Sequence, residues 1–170
     1  MNLVKVELRK IIWPMKEGAG IFLGNEEKTF MMVVGHPEAA AIMRELNGQK
    51  FVRPLTHDLI HYIMLGFDVE IKHIIISALK QDTFFATLVM EQKLQTDDGD
   101  WQGKRNEVRI DARPSDSIIL ALKSGGEILV TEDVFNNVED VTEKLKESPL
   151  TSLEEGSDPF GLFEAHPGEG

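Results

Sequence analysis

Asp111-Ala112-Arg113-Pro114-Ser115-Asp116-Ser117-Ile118-Ile119-Leu120-Ala121-Leu122-Lys123 is the stretch that decides how this chain is read: a charged, proline-marked turn opens directly into an apolar helix. The Ile118, Ile119, Ala121 and Leu122 run is apolar enough to demand burial, while Asp111, Arg113 and Asp116 crowd the turn before it. Charges beside a buried helix start are costly unless they are paired or used. The stretch therefore marks both a packing element and a candidate site.

Upstream, Val108 and Ile110 make a short strand that leads into the turn. Downstream, Gly125-Gly126 ends the helix and Glu127 to Thr131 forms a last strand. Further out, Val4, Val6 and Leu8 alternate with Lys5, Glu7 and Arg9, the period-two pattern of a half-buried strand that Trp13-Pro14 ends. Gly18 to Gly24 and Lys28 to Val34 read as a hairpin around Asn25-Glu26-Glu27. His36-Pro37-Glu38 opens a helix that runs to Leu46, with Pro in its first turn. A second helix starts at Thr56, a suitable N-cap, with Asp58 placed where the helix dipole favours an acid, and ends at Gly66.

Phe67, Val69 and Ile71 alternate with Asp68, Glu70 and Lys72, and the strand continues into Ile74-Ile75-Ile76, which calls for burial on both faces. Asp82-Thr83 turns the chain into an antiparallel partner over Phe84 to Glu91. Gln95 to Arg105 reads as a polar loop. Val138, Val141 and Leu145 suggest a weaker amphipathic helix. Past Ser148 the Pro, Gly, Ser and Glu content reads as a disordered acidic tail, although Phe160, Leu162 and Phe163 could dock. The expected architecture is one compact α+β domain over residues 1–147, with a mixed, largely antiparallel sheet and three to four short helices, followed by a tail over 148–170.

At 170 residues, 42% apolar and 28% charged, the chain has the make-up of a single globular domain. No window approaches the ~20 apolar residues of a membrane helix, and the first residues alternate acid and base instead of forming a leader's apolar core, so a cytoplasmic protein is expected. The absence of cysteine excludes disulfides and thiolate metal sites, so any metal must sit on His or carboxylate. The net charge of −11 argues against a general polyanion binder. Six of the acids, however, are Glu147, Glu154, Glu155, Asp158, Glu164 and Glu169, in a segment with no Lys or Arg, so the body is only mildly acidic.

Ionisable groups collect at three boundaries where helices begin: His36 to Glu38, Arg53 to Asp58, and Asp111 to Asp116. Free amides at a helix start attract anions, and side chains there can hold a metal or a phosphate. The same residues are also ordinary caps and ion pairs.

The order and spacing of Arg53-Pro54-Leu55-Thr56-His57-Asp58-Leu59, then Thr83-Phe84-Phe85-Ala86-Thr87-Leu88-Val89, then Asp111-Ala112-Arg113-Pro114-Ser115-Asp116-Ser117-Ile118-Ile119-Leu120-Ala121 resemble the bifunctional nuclease domain family. The resemblance covers Leu3 to Val134 and leaves out the tail. It implies a compact α+β domain of a largely bacterial and plant family, and a hydrolase acting on both DNA and RNA. Fold alone does not carry a mechanism.

Phosphodiester hydrolysis needs an activated water and positive charge at the transition state. Under the nuclease reading, Asp111 and Asp116 are candidate ligands for Mg²⁺ or Mn²⁺, with Asp58 a possible third. His57 is the candidate general base or acid, with Asp58 and Asp116 beside it as catalytic candidates, and Arg53 and Arg113 are the candidate phosphate clamps. The substrate would be single-stranded DNA or RNA, which needs few phosphate contacts. The alternative is a non-catalytic binding or assembly module of the same fold. There Asp58 and Asp116 are caps, Arg53 or Arg113 pairs with Asp111, and His57 is a hydrogen-bonding structural residue.

His57-Asp58-Leu59-Ile60-His61 superficially resembles a zinc-protease helix, but it carries Asp in place of the general-base Glu and has no evident third ligand. His73 falls inside a strand and reads as a sheet residue. A homodimer is expected, because a mixed sheet of this size leaves edge strands to cover.

Overall fold

The computed structural model describes residues 2–95 and 101–147. The elements run β1 (Leu3–Met15), β2 (Gly18–Gly24), β3 (Thr29–Val34), α1 (His36–Leu46), α2 (Thr56–Gly66), β4 (Val69–Lys80), β5 (Thr83–Gln95), β6 (Trp101–Ala112), α3 (Pro114–Ser124), β7 (Glu127–Thr131), α4 (Glu132–Asn137) and α5 (Thr142–Glu147). Among the described residues seven strands share one sheet in the order β3-β2-β1-β7-β4-β5-β6. Of these neighbours β4 and β7 run parallel and the other pairs are antiparallel. The α+β class is the one its sequence patterns imply.

Two meanders make the sheet, and β1 and β7 join them. Leu3 to Val6 of β1 pair with β7, while Glu7 to Met15 pair with β2, so one strand serves both halves. Gly18 makes the turn into β2 at φ 138°, and a Cβ there would sit 1.9 Å from the Val34 carbonyl oxygen, so only glycine fits. After β6, α3 carries the chain back across the sheet and returns it as β7 beside β4. That crossover is what the Pro114 turn and the apolar helix achieve together.

Helix α3 is the centre of the packing. Ile118, Ile119 and Ala121 are buried with Ile74 and Ile76 of β4 and Leu88 of β5. The Ala39-Ala40-Ala41 run of α1 is buried as well, and its small side chains let α1 lie close to α3. Helix α2 also packs against α3 and β4, but only Met64 of its residues is buried. Ile74, Ile75 and Ile76 are all buried, as their unbroken apolar run requires.

Three local expectations change. Residues 101–105 belong to β6 and not to a loop, because β5 and β6 form a long hairpin whose pairing reaches Gln95 and Trp101; residues 96–100 lie outside the described residues. Five helices lie among the described residues, and the chain around Val138 to Leu145 splits into α4 and α5. Thr131 caps α4 by accepting from the Val134 N–H at 3.4 Å, and Asp140 starts α5 by accepting from the Thr142 N–H at 2.9 Å. Val138 and Val141 between them are buried outside either helix. The tail over 148–170 lies outside the described residues.

Candidate functional site

The three helix starts singled out by the sequence meet in space. Glu38, Asp58 and Asp116 each stand in the first turn of their helix, where free N–H groups and the helix dipole favour an acid. In α2 the N-cap is Leu55, not Thr56, and its N–H donates to Asp58 Oδ2 at 2.7 Å. An acid three residues into the helix can reach back to cap it, so a capping hydroxyl is not required.

Two clusters tie the three helices together. In the first, the Arg113 guanidinium donates from Nε to Asp116 Oδ2 at 2.8 Å, from Nη2 to Asp116 Oδ1 at 3.2 Å, and from Nη1 to Glu38 Oε1 at 2.9 Å. His57 Nε2 lies 3.0 Å from Asp116 Oδ1. The chain Glu38, Arg113, Asp116, His57 therefore joins α1, α3 and α2. In the second cluster, Lys123 Nζ donates to Asp58 Oδ1 at 2.5 Å and to Glu45 Oε1 at 2.7 Å, joining the same three helices one level deeper.

The electrostatics follow from these contacts. Burial pushes the Asp116 carboxyl up, but hydrogen bonds from Arg113 and His57, with their charges, outweigh it and hold Asp116 below the usual carboxylate range. Asp58 is lowered chiefly by its hydrogen bond from Lys123. Burial acts to lower Lys123, yet the bonds to Asp58 and Glu45 leave it raised overall. Arg113 is raised mainly by its bond to Asp116. All four therefore keep their charges through the neutral range.

The remaining candidates lie elsewhere. Ala112 packs against the core on the helix side of the sheet, so strand alternation sends Asp111 and Arg109 to the opposite face. Arg109 pairs there with Glu107 at 2.8 Å, and Asp111 is exposed, its side chain without an ion pair or hydrogen bond among the described residues. Arg53 is exposed in the segment before α2, likewise without an ion pair among the described residues. Asp58 belongs to Lys123 and Asp116 to Arg113 and His57, so the three aspartates do not share a centre. Among the described residues no three His, Asp or Glu side chains gather in a way that could hold a metal ion. His61 lies on the inner side of α2 with its Nδ1 buried and unpartnered. His73 is a strand residue of β4 whose pKa is lowered, mainly by burial.

A cleft of about 690 Å³ opens beside the first cluster, between β3 and the start of β5. Arg113 and Glu38 line it together with Phe30, Val34, Phe84 and Val138. Sequence reading missed the roles of Lys123, Glu45 and Glu38. The signal for Lys123 is its spacing: Asp116 and Lys123 are seven residues apart, two helical turns, on the same face of α3.

The chain belongs to the bifunctional nuclease domain family, whose profile matches residues 21–143. That span holds every residue of both clusters. The chain is also 33% identical over 111 residues to each of two uncharacterized proteins from two strains of Mycobacterium tuberculosis, a match that takes in 65% of this chain and 59% of each relative. The chain thus spans less than two thirds of the length of these curated relatives. No helix among the described residues is long and apolar enough to cross a membrane.

Proposed function

We propose that this chain hydrolyses phosphodiester bonds of single-stranded DNA or RNA, with His57 as the acid–base group, Asp116 as its positioning partner and Arg113 as the phosphate-binding cation. The observation that carries the reading is the 3.0 Å contact between His57 Nε2 and Asp116 Oδ1 at a helix start. An ionised carboxylate only accepts, so neutral His57 carries its proton on Nε2 and leaves Nδ1 as the base. Nδ1 takes a proton from the attacking water or ribose hydroxyl as the new oxygen–phosphorus bond forms. The same proton then goes to the leaving oxygen as the old bond breaks. Asp116 holds the ring in place and stabilises the imidazolium between the two transfers.

Arg113 has five N–H donors, of which Asp116 and Glu38 take three. Two remain for phosphate oxygens, on a side chain that is 66% exposed. Mg²⁺ and Mn²⁺ remain variables of the reaction and no step is assigned to them, since Asp58, Asp111 and Asp116 do not form a metal-binding group in this arrangement.

A second reading has its own support: each first-turn acid is engaged by a cation, which is what a structural knot in a binding or assembly module requires. One experiment separates the two. Highly purified wild type, His57→Ala and Asp116→Asn are incubated with single-stranded DNA and RNA oligonucleotides, with Mg²⁺, with Mn²⁺ and with chelator. The nuclease reading expects cleavage by wild type and its loss in both variants. Equal cleavage by all three assigns the activity to a contaminant and leaves the structural reading in place.

A further inference from the structure

Helix α2 carries an apolar stripe with no element packed on it among the described residues. Leu59, Tyr62, Ile63 and Gly66 follow the i, i+3, i+4, i+7 spacing of a packing face, yet they point away from α3 and β4. Leu59, Tyr62, Ile63, Leu65 and Phe67 are between 51 and 67% exposed, and Ile60 is exposed beside them. With roughly 150 to 250 Å² for a large side chain in full contact with solvent, they leave on the order of 600 Å² of apolar surface. That reaches the top of the range for the largest patch on a monomer. It also approaches the ~800 Å² that each partner of a standard interface covers.

We infer that this face is the interface of a homodimer in which α2 packs on α2 of a second copy about a two-fold axis. Charge selects the occupant. The chain carries −11 overall, so two copies repel over most of their surfaces. From Leu59 to Phe67 there is no Asp, Glu, Lys or Arg, and the neighbouring Asp58 is tied to Lys123. In a two-fold pairing each patch meets itself, which a charged patch cannot do without repulsion and this one can. An anionic membrane or a strongly charged partner finds no opposite charge here. Packing of Leu59, Tyr62 and Ile63 against their copies also supplies α2 with the burial that one inward residue, Met64, does not. The interface belongs to the helix face and not to the strand edges β3 and β6, and it stands independently of the proposed activity.

Sedimentation equilibrium of the full chain tests the inference. Wild type is expected to be a dimer at low micromolar concentration. Ile63→Glu and Tyr62→Glu, each placing a charge in the centre of the face, are expected to raise the dissociation constant by about a hundredfold or more. Both positions are exposed within one chain, so far-UV circular dichroism should stay unchanged. Val33→Glu, at an exposed site on edge strand β3, is expected to leave the dimer intact. Because the chain has no cysteine, Ile63→Cys supplies a second readout: mild oxidation should link two copies through that single thiol. A wild type that stays monomeric at ~100 μM, an Ile63→Glu protein that remains dimeric, or dissociation caused by Val33→Glu would each overturn the assignment.

Discussion

The two clusters that bind α1, α2 and α3 use the same kinds of residue and differ in depth. In the inner one, Lys123 is 14% exposed, and it meets the partly buried Asp58 and Glu45. Asp58 and Lys123 keep their charges through the neutral range, and the directional bonds from Lys123 lock the three helices. In the outer one, Arg113 is 66% exposed and Asp116 contacts a histidine, the one side chain whose ordinary titration falls near neutrality. The inner cluster can hold the fold but has no proton to move and little access to substrate. The outer one has a histidine, a cation with spare donors and an adjoining cleft, which is what the proposed hydrolysis requires. Depth thus separates a strut from the proposed site.

The sharpest break between them should appear in turnover. His57→Ala is expected to lower nuclease turnover by about 10²- to 10⁴-fold, the usual contribution of one acid–base group, while unfolding free energy changes by about 1 kcal/mol for one lost hydrogen bond. Lys123→Met should show the reverse pattern. It strands Asp58 and Glu45 opposite each other at low exposure, so a loss of about 2 to 3 kcal/mol in urea denaturation is expected, with turnover per folded molecule changed less than tenfold. If Lys123→Met abolishes turnover while leaving stability intact, the division of labour between the clusters is wrong.

The inner cluster also has a pH signature. Asp58 is depressed in the folded state, so its contribution is present above the unfolded carboxyl value near 4 and is lost as pH falls through its lower folded value. Lys123 is raised, so its contribution is complete below the unfolded lysine value near 10.4 and is lost as pH rises through its folded value. Wild type should therefore hold the benefit of the strut from about pH 4 to about pH 10. The stability gap to Lys123→Met should be widest in that window and narrow at more acid pH, where the stranded carboxyls take up protons. Denaturation curves at a series of pH values check this.

Much of this arrangement is legible in the sequence, because local rules place it. Period-two runs give β1 and β4, Pro114 and Gly125 bound α3, and the acids near residues 38, 58 and 116 mark three helix starts. What sequence spacing cannot supply is which starts converge, since that depends on α3 crossing from β6 to β7. Asp111 shows the cost: five residues from Asp116 in the chain, it is turned to the other face of the sheet by the strand alternation before the turn. The reach of β6 into 101–105 was hidden because a long hairpin is held by cross-strand pairing, which polar residues satisfy as well as apolar ones. The exposed stripe of α2 has the opposite character. Its helical periodicity is plain in the sequence, and only the structure shows that the face is exposed, with no partner among the described residues.

The smallest expected effect separates the outer cluster's two possible jobs most cleanly. Glu38→Gln removes one of the two carboxylates on Arg113. Because the guanidinium is largely exposed, the pair contributes about 0.2 to 1 kcal/mol to stability, and less in high salt. Were Arg113 only a clip between α1 and α3, nothing else would change. If it binds phosphate, Glu38 competes with the substrate for the same cation, and relieving that competition strengthens substrate binding. The variant is then expected to lower KM for single-stranded DNA by a few-fold with kcat nearly constant, because binding is improved equally in the ground and transition states. Arg113→Lys should move KM the other way, since a lysine ammonium cannot span Asp116 and a phosphate with the planar fork of arginine. Opposite shifts in KM from two substitutions of near-equal cost to the fold would mark Arg113 as a substrate contact, whereas parallel shifts that follow stability would return it to the scaffold.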